Sequence, residues 1–185
     1  MLIQPKIQTI LKEISSVLVK INEKQVQLLI NEILKANTII TLGAGRVGLA
    51  TRAFTMRLGH LGLRSFFLGD TTLPAIGKSD LLIVSSGSGE TQTIFDLVRI
   101  SSKHKLHIAL ITSNPKSRIG QLALTIVEIQ APSKIKPINN IKSIQPMTTL
   151  NEQCLNIFFD SLILLLMKKL NETHNTMWAR HSSLE

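Results

Sequence analysis

Near the start of the chain apolar residues recur at three- and four-residue intervals: Ile3, Ile7, Ile10, Leu11, Ile14, Val17 and Leu18. That spacing lays one apolar stripe along a helix and predicts an amphipathic first helix. Asn22 suits an N-cap, because its side-chain oxygen can take an N–H that the helix itself leaves unpaired. A second helix is therefore expected over about 23–36, buried through Val26, Leu29, Ile30, Ile33 and Leu34. Beyond it the pattern changes to short apolar runs, predicted as strands at 38–42, 64–68, 81–85, 107–112 and 124–129, with helices near 46–61, 91–104 and 116–122. These runs lack polar alternation, which means burial on both faces, as in a parallel sheet covered by helices. The expected fold class is α/β: a doubly wound, flavodoxin-like three-layer αβα sandwich around a five-stranded parallel sheet. A polar stretch from Gln130 to Gln145, with Pro132 and Pro137, reads as a loop or flap. A last long helix is expected over about 148–170, followed by a tail. No repeat or second domain is visible. The chain divides as helical pair (1–36), sheet and crossovers (38–130), and C-terminal helix with tail (148–185).

At 185 residues the chain can bury a core without staples. Tyr is absent and aromatic residues make up only 4%, so few ring faces exist to stack single-stranded bases. A net charge of +9 suits nucleic acid, an anionic surface or an anionic substrate. The basic residues are scattered, however, and the denser pairs (Lys168 with Lys169, Lys134 with Lys136) fall at a helix end and in the loop, so solvated surface is the expectation and nucleic acid is not. Cys154 is the single cysteine. It lies in an apolar helix, and a buried structural thiol in a reducing compartment is expected. The apolar stretch Leu155–Met167 contains Asn156 and Asp160 and is read as too short and interrupted to span a bilayer. With no signal-peptide pattern at the N-terminus, a soluble cytoplasmic protein without membrane partners is expected.

Two strand-to-helix loops carry the chemistry: Gly43-Ala44-Gly45-Arg46 and Ser85-Ser86-Gly87-Ser88-Gly89-Glu90-Thr91. Glycines allow close backbone approach, and a helix start offers N–H groups and a partial positive charge that suit a phosphate. Gly43, Gly45 and Gly48 also match the dinucleotide fingerprint G-x-G-x-x-G, with Asp70 near the place of its ribose-binding acid. Against that reading, two helices precede the first strand, and a dinucleotide has no need of the hydroxyl-rich second loop. No P-loop motif is present. A small phosphorylated molecule is the better fit.

The run Ser86-Gly87-Ser88-Gly89-Glu90-Thr91, with two helices ahead of the sheet, resembles the sugar isomerase (SIS) domain. Several further stretches are similar to the 6-phospho-3-hexuloisomerase family: Gly43-Ala44-Gly45-Arg46, the segment Met56 to Gly62 around His60, Gln145-Pro146-Met147 with Glu152, and the closing Arg180-His181-Ser182-Ser183-Leu184-Glu185. The likeness runs from about Thr38 to the C-terminus. It implies interconversion of a hex-3-ulose 6-phosphate and fructose 6-phosphate without metal or organic cofactor, as in the ribulose monophosphate pathway of formaldehyde fixation. It also implies a homotetramer, a dimer of dimers with active sites at subunit contacts. One departure stands out: the family's first loop usually reads G-A-G-R-S-G, and this chain has Val47 in place of the serine.

Such an isomerisation needs a base for a carbon-bound proton and groups that polarise the oxygens. The resemblance makes Glu152 the base, although Thr149-Leu150-Asn151-Glu152 also matches a capping box, which spacing alone favours. It gives His181 a proton-transfer or ring-opening role, from the same or a neighbouring subunit, and makes His60 a candidate where the pattern alone suggests a core histidine. Arg46, a cation at a helix N-terminus, needs an anionic partner: the substrate, Glu90 or Asp70. Gly45, Ser86, Ser88, Gly89, Glu90 and Thr91 are the candidate phosphate-binding set, with Glu90 more an organiser of the loop than a base. His104 and His107 are expected at the surface. The competing readings are an arabinose 5-phosphate isomerase and a non-catalytic phosphosugar sensor, the latter kept open by Val47.

Overall fold

In the computed structural model the described residues are 2–134, 141 and 143–184, so Lys136 and Pro137 of the expected loop, and the closing Glu185, lie outside them. Two helices, α1 (Ile3–Leu18) and α2 (Glu23–Lys35), precede β1 (Ile39–Gly43). The Asn22 side chain accepts from the Lys24 N–H at 2.9 Å and caps α2 as expected. Then come α3 (Gly45–His60), β2 (Ser65–Phe67), β3 (Leu81–Ser85), α4 (Gln92–Lys103), β4 (His107–Thr112), β5 (Thr125–Glu128), α5 (Thr149–Leu170) and a short α6 (His174–Trp178).

The five strands form one parallel sheet in the order β2-β1-β3-β4-β5. From β1 the chain moves outward to β2, returns to β3 on the other side of β1, and continues outward through β4 and β5. The direction of winding reverses between β1 and β3, and beyond the carboxyl ends of those strands the sheet opens a crevice. Strand side chains alternate between the two helical layers. Ile39, Leu81, Ile83, Ala109 and Ile111 pack with α1, α2, α3 and α5. Ile40, Leu42, Leu82, Val84, Ile108 and Leu110 pack with α4 and the connections on the opposite side. Both faces are covered, which accounts for the unbroken apolar runs.

Two expectations at element level are corrected. The helix expected over 116–122 is only a 3-10 turn, Gly120–Leu122. Here the chain folds back too tightly for a helix: a Cβ at Gly120 would lie 2.0 Å from the Pro115 carbonyl oxygen, and the Ser117 hydroxyl takes the Gly120 N–H at 3.1 Å. The tail contains α6, started by a capping box in which Thr173 and Thr176 satisfy each other's N–H groups at 3.2 and 2.9 Å. In addition, α5 spans 22 residues and is long and apolar enough, by length and composition, to cross a membrane, unlike the shorter run read from the sequence. Its apolar side is committed to the core instead, with Leu150, Leu155, Phe158, Phe159, Leu162 and Leu166 buried against the sheet and its neighbouring helices.

Candidate active site

A cleft of about 360 Å³ opens over the carboxyl ends of β1 and β3. One wall comes from the first glycine loop. Gly45 has φ +57°, which a side chain rarely tolerates, and it starts α3 without a side-chain cap. A Cβ on Gly48 would sit 2.7 Å from the Gly43 carbonyl oxygen, so these two glycines let α3 cross close over β1. That packing explains the G-x-G-x-x-G match without a dinucleotide. Asp70, the supposed ribose ligand, is engaged elsewhere, with Arg52 at 3.1 Å and the Phe67 N–H at 2.9 Å. Val47 lines the cleft and leans on the core beneath it.

The second wall is the hydroxyl-rich loop and the start of α4, whose N-cap Thr91 leaves the helix N–H groups without a side-chain acceptor. Ser86, Ser88 and Thr91 all line the cleft. The Ser86 and Ser88 hydroxyls accept the N–H groups of Gly89 and Glu90 at 3.1 and 3.2 Å, which curls the loop and leaves both hydroxyl protons to donate outward among the described residues. Gly89 and Glu90 are not in the lining. Gly89, at φ +65°, packs so closely that a Cβ would lie 2.0 Å from the Ser117 hydroxyl. Glu90 turns away to Arg118, taking its Nε–H at 2.6 Å and its backbone N–H at 2.8 Å. Those hydrogen bonds hold the Glu90 carboxyl below its ordinary pKa. Arg118 also reaches the Glu90 carbonyl at 2.9 Å and Gln92 at 3.1 Å. Glu90 is thus the loop's fastening.

Opposite stands Glu152, in the first turn of α5 and only 8% exposed. The capping box read from Thr149 is not formed, because the N-cap is Thr148 and Thr149 donates to the Pro146 carbonyl at 2.7 Å. The Thr148 hydroxyl instead donates to Glu152 Oε1 at 2.9 Å. Glu152 Oε2 lies 3.1 Å from Arg46 Nε but makes no hydrogen bond among the described residues. The anionic partner of Arg46 within the chain is therefore Glu152, while Arg46 Nη1 also donates to Thr149 at 3.2 Å. Pattern reading missed Thr148 and Asn151, which line the cleft from the start of α5 and carry no motif of their own. Cys154, one turn further, is fully buried with its thiol pKa pushed up to about 12 by desolvation, in keeping with an inert structural thiol.

His60 and His181 come together, but not in this cleft. Their rings lie 5.3 Å apart, and the His181 ring also stands 4.9 Å from Trp178. His60 is the last residue of α3, whereas Arg46 is in its first turn. Sixteen helical residues span about 24 Å, so the two groups occupy opposite ends of α3. Arg57 Nη1 donates to His60 Nδ1 at 3.2 Å. Arg180 binds the tail there, donating to the His60 carbonyl at 3.1 Å and pairing with Glu172 at 2.8 Å, and it lies against Gly62.

The sequence pattern of the SIS domain matches residues 32–157. The 3-hexulose-6-phosphate isomerase of Bacillus subtilis is 38% identical over 95% of this chain and 95% of its own. The enzyme of the same name from Mycobacterium gastri is 35% identical over 94% of this chain and 86% of its own. Among solved structures, a Methanococcus jannaschii protein, whose structure was taken to infer a 3-hexulose-6-phosphate isomerase function, is 30% identical. It superposes with a TM-score of 0.85 over 98% of this chain and 99% of its own.

Proposed function

This chain belongs to the SIS domain family, and on that premise we propose that it is a sugar-phosphate isomerase interconverting D-arabino-hex-3-ulose 6-phosphate and D-fructose 6-phosphate. The observation that carries the reading is a half-buried ion pair, Glu152 with Arg46, facing a loop of outward-donating hydroxyls across one cleft. Ser86, Ser88, Thr91 and the α4 N-terminus suit the phosphate. Glu152 is the base. It takes the C3 proton of fructose 6-phosphate, and the electrons form the C2–C3 double bond while the C2 carbonyl oxygen takes up a proton, giving an enediol. Glu152 then returns its proton to C2 as the C3 hydroxyl gives up its own proton and its oxygen becomes the carbonyl. Arg46, with its guanidinium at the mouth, steadies the negative charge that develops on those oxygens. No step calls for a metal or organic cofactor.

The histidines enter this reading through assembly. Separated from Glu152 by the length of α3, His60 and His181 reach a cleft only from a second copy, in keeping with a cytoplasmic homotetramer whose sites lie at subunit contacts.

The test is incubation with fructose 6-phosphate in heavy water. Exchange at C3 is expected in the natural protein, and Glu152→Gln removes it while fructose 6-phosphate still binds. Retention of normal exchange by Glu152→Gln sinks the base assignment. Binding without exchange in the natural protein favours the sensor reading, for which Val47, bringing no hydroxyl to the first loop, is the supporting feature.

A further inference from the structure

Three buried polar atoms in the cleft have no hydrogen-bond partner among the described residues: Ser85 Oγ, Ser133 Oγ and Glu152 Oε2. Glu152 is accounted for as the base. The two serines are not, and neither belongs to the outward-donating set of the phosphate loop. Ser85 is the last residue of β3 and 1% exposed. It continues the alternation of Leu81 and Ile83, whose side chains face the layer of α3 and α5, so its hydroxyl sits on the Glu152 side of the sheet. Ser133 arrives from the other direction. Ile129 is tied to β4 through the Thr112 carbonyl at 2.9 Å, and Ala131 is fully buried, donating to the Ile129 carbonyl at 2.7 Å. The chain is thereby anchored two residues before Ser133, whose hydroxyl is enclosed against the cleft.

A buried hydroxyl left unbonded has given up its hydration with no hydrogen bond in return. Two of them in the cleft that holds the base are arranged for a ligand that brings hydroxyls of its own. A bare phosphate does not, and the phosphate loop already suits the charged end. We propose that Ser85 and Ser133 form a hydroxyl-reading subsite beside Glu152. It selects a polyhydroxylated phosphomonoester, with its sugar hydroxyls on these two serines, over phosphate esters in general. This rests on the phosphosugar reading of the cleft.

The experiment compares Kd for fructose 6-phosphate with Kd for inorganic phosphate, by calorimetry, in the natural protein, Ser85→Ala and Ser133→Ala. Each alanine is expected to weaken fructose 6-phosphate roughly three- to tenfold, the worth of one ordinary hydrogen bond, and to leave inorganic phosphate unchanged. Melting temperatures should hold or rise, because an unbonded buried hydroxyl is removed. Unchanged affinity for both ligands makes the hydroxyls idle and overturns the subsite. Equal weakening of both overturns it too, since the serines would then shape the phosphate loop. A natural protein that binds fructose 6-phosphate no better than phosphate overturns the phosphosugar reading itself, a failure visible before any variant is made.

Discussion

Glu152 illustrates how one residue type in one pattern supports two chemistries. Thr149 and Glu152 have the spacing of a capping box, and nothing in the spacing says which threonine starts the helix. The start falls one residue earlier, so the Thr148 hydroxyl serves the carboxylate and the Thr149 hydroxyl serves Pro146. Arg46 was legible as a cation in need of an anion, but its partner lies 106 positions away in the chain, a pairing only the fold creates. Its role can be tested apart from that of Glu152. Arg46→Met is expected to lower kcat by about two orders of magnitude with a smaller change in KM, since a donor aimed at developing charge acts mainly on the transition state. Arg46→Lys should recover only part of this, because a compact ammonium does not reproduce a planar fork that contacts Glu152 and Thr149 together. At the phosphate loop the split reverses. Replacing Ser86 and Ser88 by Ala should raise KM strongly and leave kcat largely intact, and an unchanged KM in steady-state assays removes them from the phosphate site.

Element by element, apolar patterning carried the sheet and the long helices, because an amphipathic helix buries a regular stripe and a strand covered on both faces buries an unbroken run. Segments held by polar contacts leave no such pattern. The 3-10 turn at Gly120–Leu122 and the strap leading into α5 are of that kind. In the strap, one carboxylate on α1, Glu13, receives the Ser143 hydroxyl at 2.7 Å, the Ile144 N–H at 2.8 Å and the Gln145 amide at 2.9 Å. Partial burial acts to raise the Glu13 pKa, but the three hydrogen bonds together outweigh it, and the pKa lies below the ordinary value of 4.5. A carboxyl whose pKa is lower in the folded than in the unfolded chain stabilises the fold above its unfolded pKa. That contribution is lost as pH falls through the lowered folded value. Melting curves should therefore show Glu13→Gln below the natural protein at neutral pH, with the two converging in acid below 4.5. A constant gap across that range would detach the carboxylate's charge from the strap.

For the whole molecule, the resemblance placed Glu152, His60 and His181 in one site, whereas a single chain holds them at opposite ends of α3. A sequence lists which groups are present, but the end of an element at which each emerges depends on the packing of every strand before it. The surface offers a way to reunite them. Leu49 and Met56, seven positions and about two helical turns apart on α3, are 67% and 51% exposed, an apolar stripe lying between the cleft and the histidines. A two-fold contact along that stripe, with the helices antiparallel, sets the His60 end of one α3 beside the Arg46 end of the other. On this arrangement each site is shared, and the prediction is complementation. Glu152→Gln and His181→Ala are each expected to be inactive alone. Co-refolded, they should recover activity, because mixed pairs contain one site with both an intact glutamate and an intact histidine. A mixture that stays inactive while native mass spectrometry shows mixed oligomers would mean that the histidine pair works within its own chain, and full activity of His181→Ala alone would take the histidine out of catalysis. If Leu49→Lys, which puts a charge into the stripe, leaves both the assembly and the complementation intact, α3 is not the contact.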